Sequence, residues 1–291
     1  MNLLLAPARH PVVDPSWPTN PTINLIFTAG SGLAVLAGLV MAVRYYRREG
    51  TVAGFTCLAG GAVASLFEPL TAANGFVYYP RQEQITLFAA YDVKIPLFLT
   101  LSYTAEIGLG AMAVWRLLLG GGGPRAITKV WLIVALGDVI LETPALLLHV
   151  FYYYGPQPLD LWGMPMYWAV LDGALGILPG VVIYLCGEGG HWARKAWHQL
   201  VIVALFPSSV AFFYVGAGWP IWTLMHTDLP EPWIWAGSLV TVALTYLFVR
   251  VLAAVSTLPP EVVAGLRTAG SAPRVSQGAA KQGAAKQGAD A

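Results

Sequence analysis

The sequence predicts an all-α polytopic membrane protein: a bundle of seven transmembrane helices with its N-terminus outside and its C-terminus in the cytoplasm. Three observations carry that expectation. The composition is too poor in charge for water, seven apolar segments have spanning length, and basic residues keep to alternate connections. Of 291 residues, 57% are hydrophobic and 11% charged, and the mean hydropathy is +0.63. A soluble domain carries about 25% charged residues, so the apolar surplus needs a lipid solvent. Sixteen Lys and Arg against fifteen Asp and Glu leave a net charge of +1, without the basic surface that nucleic-acid binding requires. Cys57 and Cys186 lie in apolar stretches and offer neither a disulfide framework nor a zinc spacing; they read as small buried hydrophobes.

A membrane helix needs about 20 mostly apolar residues, and segments 22–44, 52–71, 95–119, 128–152, 163–186, 196–217 and 233–256 qualify. The first follows a polar, Pro-rich stretch with no basic leader, so it reads as a span rather than a cleaved signal. Residues 1–21 then form an extracytoplasmic segment, 22–257 the membrane domain, and 258–291 a disordered cytoplasmic tail. The tail opens at Leu258-Pro259-Pro260 and contains the near repeat Gln277-Gly-Ala-Ala-Lys281 and Gln282-Gly-Ala-Ala-Lys286. Orientation follows from the basic residues, because short cytoplasmic loops retain Lys and Arg. Arg44, Arg47 and Arg48 mark the first connection, Arg116, Arg125 and Lys129 the third, Arg194 and Lys195 the fifth, and Arg250 the end of the last helix. Only Arg9, Arg81 and Lys94 fall opposite. The outer loops are aromatic and Pro-rich instead: Asn74-Gly-Phe-Val-Tyr-Tyr-Pro80, Tyr152-Tyr-Tyr-Gly-Pro-Gln-Pro158, Trp162-Gly-Met-Pro165 and Gly218-Trp-Pro-Ile-Trp222. They predict a compact outer cap, though an interfacial aromatic belt accounts for the same enrichment.

Charged groups cost several kcal/mol at a bilayer centre and are functional candidates by default. At 1.5 Å of rise per residue, Glu106, Asp138, Glu142 and Asp172 each fall within about one turn of the midplane. Glu68 sits higher, immediately before Pro69. Asp92 and Lys94, at the outer start of the third helix, are placed to pair with one another in the interface. Asp138, Glu142, Ala145 and His149 follow i, i+4, i+7 and i+11 and share one helix face. Met164, Trp168 and Asp172 make a similar stripe, as do Tyr103, Glu106 and Gly110. Three consecutive helices thus aim a carboxylate at one depth, and a shared cavity is the simplest arrangement. No Lys or Arg lies at that depth, so each acid must be hydrated, hydrogen-bonded, bound to an external cation, or hold a proton. Interhelical hydrogen bonding is the structural alternative to chemistry. Proline interrupts three spans at Pro144, Pro179 and Pro207, and Pro144 lies beside Glu142. His149 and His226 have no defined spacing, so no metal and no cofactor is expected.

These residues suit an integral-membrane enzyme that protonates an alkene or epoxide in a lipophilic, isoprenoid-like substrate. The catalytic candidates are Glu142, Asp138, Asp172, Glu106 and Glu68. Trp168, Tyr103, Tyr167, Trp162, His149 and Phe213 are the candidate substrate-binding residues, the aromatic ones offering π faces to a carbocation. No Asp-rich magnesium motif for a diphosphate is present, which disfavours a prenyltransferase. Seven helices in a small chain, with Glu68-Pro69 closing the second, resemble the integral-membrane terpene cyclases of meroterpenoid and indole-diterpene pathways. That resemblance implies metal-independent cyclisation by two acidic residues, with Glu68 as the early acid. The last helix, 236–255, has no carboxylate where that family is expected to carry its second, so Asp138, Glu142 or Asp172 would take the role. The alternatives are a proton- or cation-coupled transporter and a seven-helix sensor. A retinal receptor is excluded because the last helix has no Schiff-base Lys. The expected partners are the lipophilic substrate and the bilayer, with the chain multi-pass in the cell membrane.

Overall fold

The computed structural model describes residues 11–80, 84–186 and 196–268. Seven helices among them are long and apolar enough to cross a membrane: Pro21–Glu49, Ala53–Gly75, Leu97–Leu119, Pro124–Leu147, Met166–Cys186, Trp197–Tyr214 and Glu231–Thr257. Apolar side chains point outward as well as inward: on the fourth span Leu132, Ile133, Leu136, Ile140 and Leu141 are exposed, while Trp131, Ala135 and Asp138 face the interior. That is the reverse of a surface helix in water and suits a lipid-facing one.

Four spans run unbroken or nearly so: α1 (Pro21–Glu49), α4 (Leu97–Leu119), α5 (Pro124–Leu147) and α10 (Glu231–Ala253). The other three change course midway. The second consists of α2 (Ala53–Ala64), a 3-10 turn over Ser65–Phe67, and α3 (Glu68–Gly75). The fifth is α6 (Met166–Asp172) and α7 (Ile177–Cys186), joined by turns at 173–176. The sixth, α8 (Ala196–Tyr214), passes through turns at 215–218 into α9 (Trp219–Met225), beyond the end at 217 that hydropathy predicts. Irregular backbone inside an apolar span of this kind needs protein or a cavity to supply its hydrogen bonds. Here side chains do so: the Trp131 indole donates to the Val170 carbonyl at 2.9 Å, and the Ser209 hydroxyl to the Leu175 carbonyl at 2.6 Å.

The fourth span stops earlier than its apolar run suggests. Leu148 caps α5, and His149 has a φ of 62°, so the stripe from Asp138 ends at Ala145. Likewise Met164 belongs to a strand rather than to the helix of Trp168 and Asp172. Among the described residues the aromatic loops and their neighbours form three two-stranded antiparallel sheets that pure hydropathy does not reveal. β1 (Val77–Tyr78) pairs with β4 (Tyr152–Tyr153), β2 (Thr86–Ala90) with β3 (Val93–Pro96), and β5 (Asp160–Leu161) with β6 (Met164–Pro165). Tyr91 and Asp92 form a two-residue turn, as do Trp162 and Gly163, with positive φ at both central positions as tight hairpins require. Trp17 packs on Tyr78, Tyr152 and Tyr154, so the chain before α1 covers these strands. Beyond α10, the segment expected to be a tail begins with a short helix, α11 (Pro260–Thr268). Arg9, Arg81, Arg194, Lys195 and the Gln-Gly-Ala-Ala-Lys repeat lie outside the described residues.

α4 lies among α1, α2, α5 and α7. Glycine makes its neighbours' approach possible. A Cβ on Gly61 would sit 2.7 Å from the Tyr103 carbonyl of α4, and one on Gly173 would sit 2.7 Å from the Ala135 amide nitrogen of α5. Both obstacles are backbone, so neither can swing away. Gly173→Ala should therefore lower stability by about 1–3 kcal/mol, whereas Gly30→Ala, with nothing within 4 Å of its added carbon, should stay within about 0.5 kcal/mol. Thermal unfolding in detergent compares the two.

Candidate functional site

The breaks in the three discontinuous spans bring the site together. Glu68 opens α3, Asp172 ends α6 and Tyr214 ends α8, while α4 supplies Tyr103 and Glu106 and α5 supplies Asp138 and Glu142. Glu68 is buried and fully engaged. Its carboxylate accepts from the hydroxyls of Tyr103 at 2.5 Å, Tyr79 at 2.7 Å and Thr71 at 2.8 Å. Glu142 accepts from the Tyr153 hydroxyl at 2.8 Å, and Asp172 from Tyr214. Asp138 is only 7% exposed, and its Oδ2 has no hydrogen-bond partner; Glu106 Oε1 is sealed and unpartnered as well.

Asp138, Glu142 and Asp172 converge, each with a carboxylate oxygen within 4.8 Å of the others. Three oxygen donors so placed suit a hard divalent cation by ligand type, so if any group of the described residues were to hold a metal it would be this one. Sequence reasoning placed these acids around one cavity and allowed a bound cation, but its expectation of no metal rested on the histidines and on local motifs, which do not show a donor trio drawn from two helices. Glu106 and Glu68 lie near enough to the trio to interact with it electrostatically. The five predicted acids are therefore one neighbourhood. The single ion pair among the described residues, Arg116 with Glu49, lies elsewhere, at the α4 end marked by basic residues.

The predicted aromatic residues divide. Trp168 is buried at the centre of a ring cluster, with centroids 5.3 Å from Tyr214, 5.6 Å from Tyr153, 5.8 Å from Tyr167 and 5.9 Å from Trp222. Tyr103 lies between Glu68 and Tyr214. Tyr167 donates to Gln157 at 2.6 Å, tying α6 to the cap. Phe213 is buried, but its ring contacts are Phe212 and Phe248 rather than the Trp168 cluster. Trp162 stands 69% exposed at a hairpin tip, and His149 is exposed and stacked on Tyr152. The left-handed turn after α5 swings His149 off the acidic face, and the hairpin carries Trp162 outward. His226 packs on Phe76, with its Nε2 2.9 Å from the Asn74 carbonyl.

Sequence reasoning missed Tyr79, Tyr153 and Tyr214 as partners of the acids. Tyr79 and Tyr153 stood in view within the aromatic loops; the strand pair directs them. Val77 faces Tyr153 and Tyr78 faces Tyr152 across β1 and β4. Side chains alternate along a strand, so Tyr79 and Tyr153 turn to the acids while Tyr78 and Tyr152 meet Trp17. Tyr79 also lines an outer cavity of about 470 Å³, together with Tyr78, Asp92, Lys94 and Tyr154. No family model, curated protein or solved structure matches the chain.

Burial, reinforced by the charge of Glu68, pushes the Tyr79 hydroxyl well above the usual tyrosine range, and burial with the charge of Glu142 does the same for Tyr153. A folded value above the unfolded one gives stability that is fully present below the unfolded value of about 10 and lost as pH rises through the folded value. The difference in thermal midpoint between wild type and a Tyr79→Phe/Tyr153→Phe double variant should be constant up to about pH 10, and above it the wild type should fall more steeply than the variant. Tyr79→Phe alone should cost about 1–3 kcal/mol, because it removes a donor from a buried carboxylate.

Proposed function

We propose that the chain is a multi-pass protein of the cell membrane, N-terminus out, and an enzyme that acts on a lipophilic, isoprenoid-like substrate by carboxylate acid/base chemistry. The membrane part of this reading rests on the seven apolar helices, their outward-facing aliphatic side chains, and the basic residues of alternate connections. The observation that carries the chemistry is the contrast between carboxyl groups in one neighbourhood. Glu68 receives three hydroxyl donors, whereas Asp138 Oδ2 receives none. Three donors suit an oxygen pair that bears negative charge, and a sealed oxygen without a donor suits the uncharged acid. Two carboxyls held in different environments divide the work of acid and base.

In this reading the Asp138, Glu142 and Asp172 trio gives a proton to an alkene or epoxide of the substrate. The positive charge then passes the faces of Trp168, Tyr153, Tyr214 and Trp222, where a cation gains about 0.5–2 kcal/mol per ring. Glu68 takes up the proton released when the product forms. The chemistry is that of the membrane terpene cyclases that the sequence resembles, with the trio in the role of the acid missing from α10, which buries Ser238, Thr241 and Thr245 instead.

Membranes fed a panel of linear and epoxidised prenyl chains should form a cyclised product. Asp138→Asn and Glu68→Gln should each reduce it at least about 100-fold, the usual contribution of a positioned acid or base, without loss of expression. Product formation should persist after treatment with a chelator of divalent cations. Unchanged turnover in both variants overturns the assignment. The three discontinuous spans favour a second reading, a proton-coupled transporter, because broken helices form the binding sites of many transporters. Sealed vesicles containing the protein separate the two: pH-dependent flux of a small solute supports transport, and its absence supports the enzyme.

A further inference from the structure

An acid-initiated cyclisation leaves its acid empty and its base loaded, so a second turnover requires a proton to travel from one to the other. The structure contains a path for it. Tyr103 donates to Glu68 at 2.5 Å, and Tyr214 donates to Asp172. The two hydroxyls lie beside one another, each within the other's electrostatic reach. Tyr103 and Tyr214 are 7% and 2% exposed, so bulk water has little access to the link. On the far side of Glu68, Tyr79 donates to Oε1 at 2.7 Å and lines the outer cavity.

We propose that Tyr103 and Tyr214 form a proton relay between Glu68 and the Asp138, Glu142 and Asp172 trio, and that Tyr79 connects this relay to water in the outer cavity. The relay deepens the acid/base reading and, as a recharging device, rests on it. The step balances. Once the Tyr103 hydroxyl has turned toward Tyr214, the O–H bond of protonated Glu68 breaks and its proton joins the Tyr103 oxygen. Tyr103 gives its own proton to Tyr214, and Tyr214 gives its own to Asp172 along the hydrogen bond already in place. Both phenols end neutral, one proton has moved from Glu68 to Asp172, and no oxidant or reductant takes part. Within the trio the oxygens are close enough to share that proton further. In this step Tyr103 and Tyr214 act on the reaction only through the carboxyls.

Hydrogen–deuterium exchange tests the relay without any substrate. The protein in lipid nanodiscs is transferred to D2O, and the C=O stretch of its protonated carboxyl groups is followed by time-resolved infrared spectroscopy. Asp138→Asn, Glu142→Gln and Asp172→Asn assign the trio's band. Deuteration of that band should slow at least about tenfold in Tyr103→Phe and in Tyr214→Phe, the low end of what positioned proton transfer contributes. Tyr153→Phe, which removes a hydroxyl bound to the trio but off the path, should leave the rate within about twofold of wild type. Each change deletes one oxygen and keeps the ring, and circular dichroism with a thermal midpoint confirms that each variant is folded. Wild-type exchange in both relay variants overturns the proposal, as does equal slowing by Tyr153→Phe. Absence of any protonated trio band also overturns it, because the trio's charge is then balanced by something other than a proton. Loss of the relay with turnover still dependent on Asp138 and Glu68 leaves the enzyme reading standing. An intact relay without turnover in any membrane assay removes that reading and leaves a proton pathway.

Discussion

Five carboxyl groups share one interior without a Lys or Arg facing them among the described residues, and the architecture is organised around that shortage of positive charge. A charge buried without a partner costs several kcal/mol, so the chain supplies hydroxyl donors instead. Tyr79, Tyr103 and Thr71 surround Glu68, Tyr153 reaches Glu142, and Tyr214 reaches Asp172. Apart from Thr71, which shares α3 with Glu68, the donors come from elsewhere in the fold: Tyr103 from α4, Tyr214 from the end of α8, Tyr153 from β4 and Tyr79 from the residue after β1. Assembling the donors therefore requires both the bundle and its cap.

The same requirement gives a reason for the broken spans. A continuous helix points successive side chains around a cylinder and cannot offer a residue along its axis. Ending α6 at Asp172 and α8 at Tyr214, and starting α3 at Glu68, lets these side chains meet across the bundle. The backbone groups released at the break in the fifth span are bound by Trp131 and Ser209. Glycine permits the approach: Gly173 leaves room for the backbone of α5 beside Asp172, and Gly61 for that of α4 beside Tyr103.

The cap is part of the site for the same physical reason. β1 and β4 are two residues each, too short to hold together by themselves, and they persist because Trp17 and the flanking tyrosines pack on their outer side. Their inner side carries the donors of Glu68 and Glu142. A loop region that composition reads equally as a compact cap or as an interfacial belt therefore supplies hydrogen bonds to two of the acids. Trp162 and Tyr91 at exposed hairpin tips, and Trp219 at the start of α9, keep the exposure expected of interfacial side chains.

The helical class, the seven spans and the five acids were legible in the sequence, because burying charge in an apolar segment is costly enough to make each exception visible. The i, i+4, i+7 spacing of Asp138, Glu142 and Ala145 also placed them on one inward face. Helix ends were not legible: hydropathy runs on through Leu148 and His149, while a positive φ at His149 ends α5 and turns that ring away from the acids. Nor were the breaks at 65–67, 173–176 and 215–218, or the tyrosine partners, because two-residue strands and cross-bundle hydrogen bonds leave no period in a sequence. Sequence by itself determined which groups an apolar segment could not solvate; only the tertiary structure decided which hydroxyls solvate them, since those donors are brought together by packing and not by spacing.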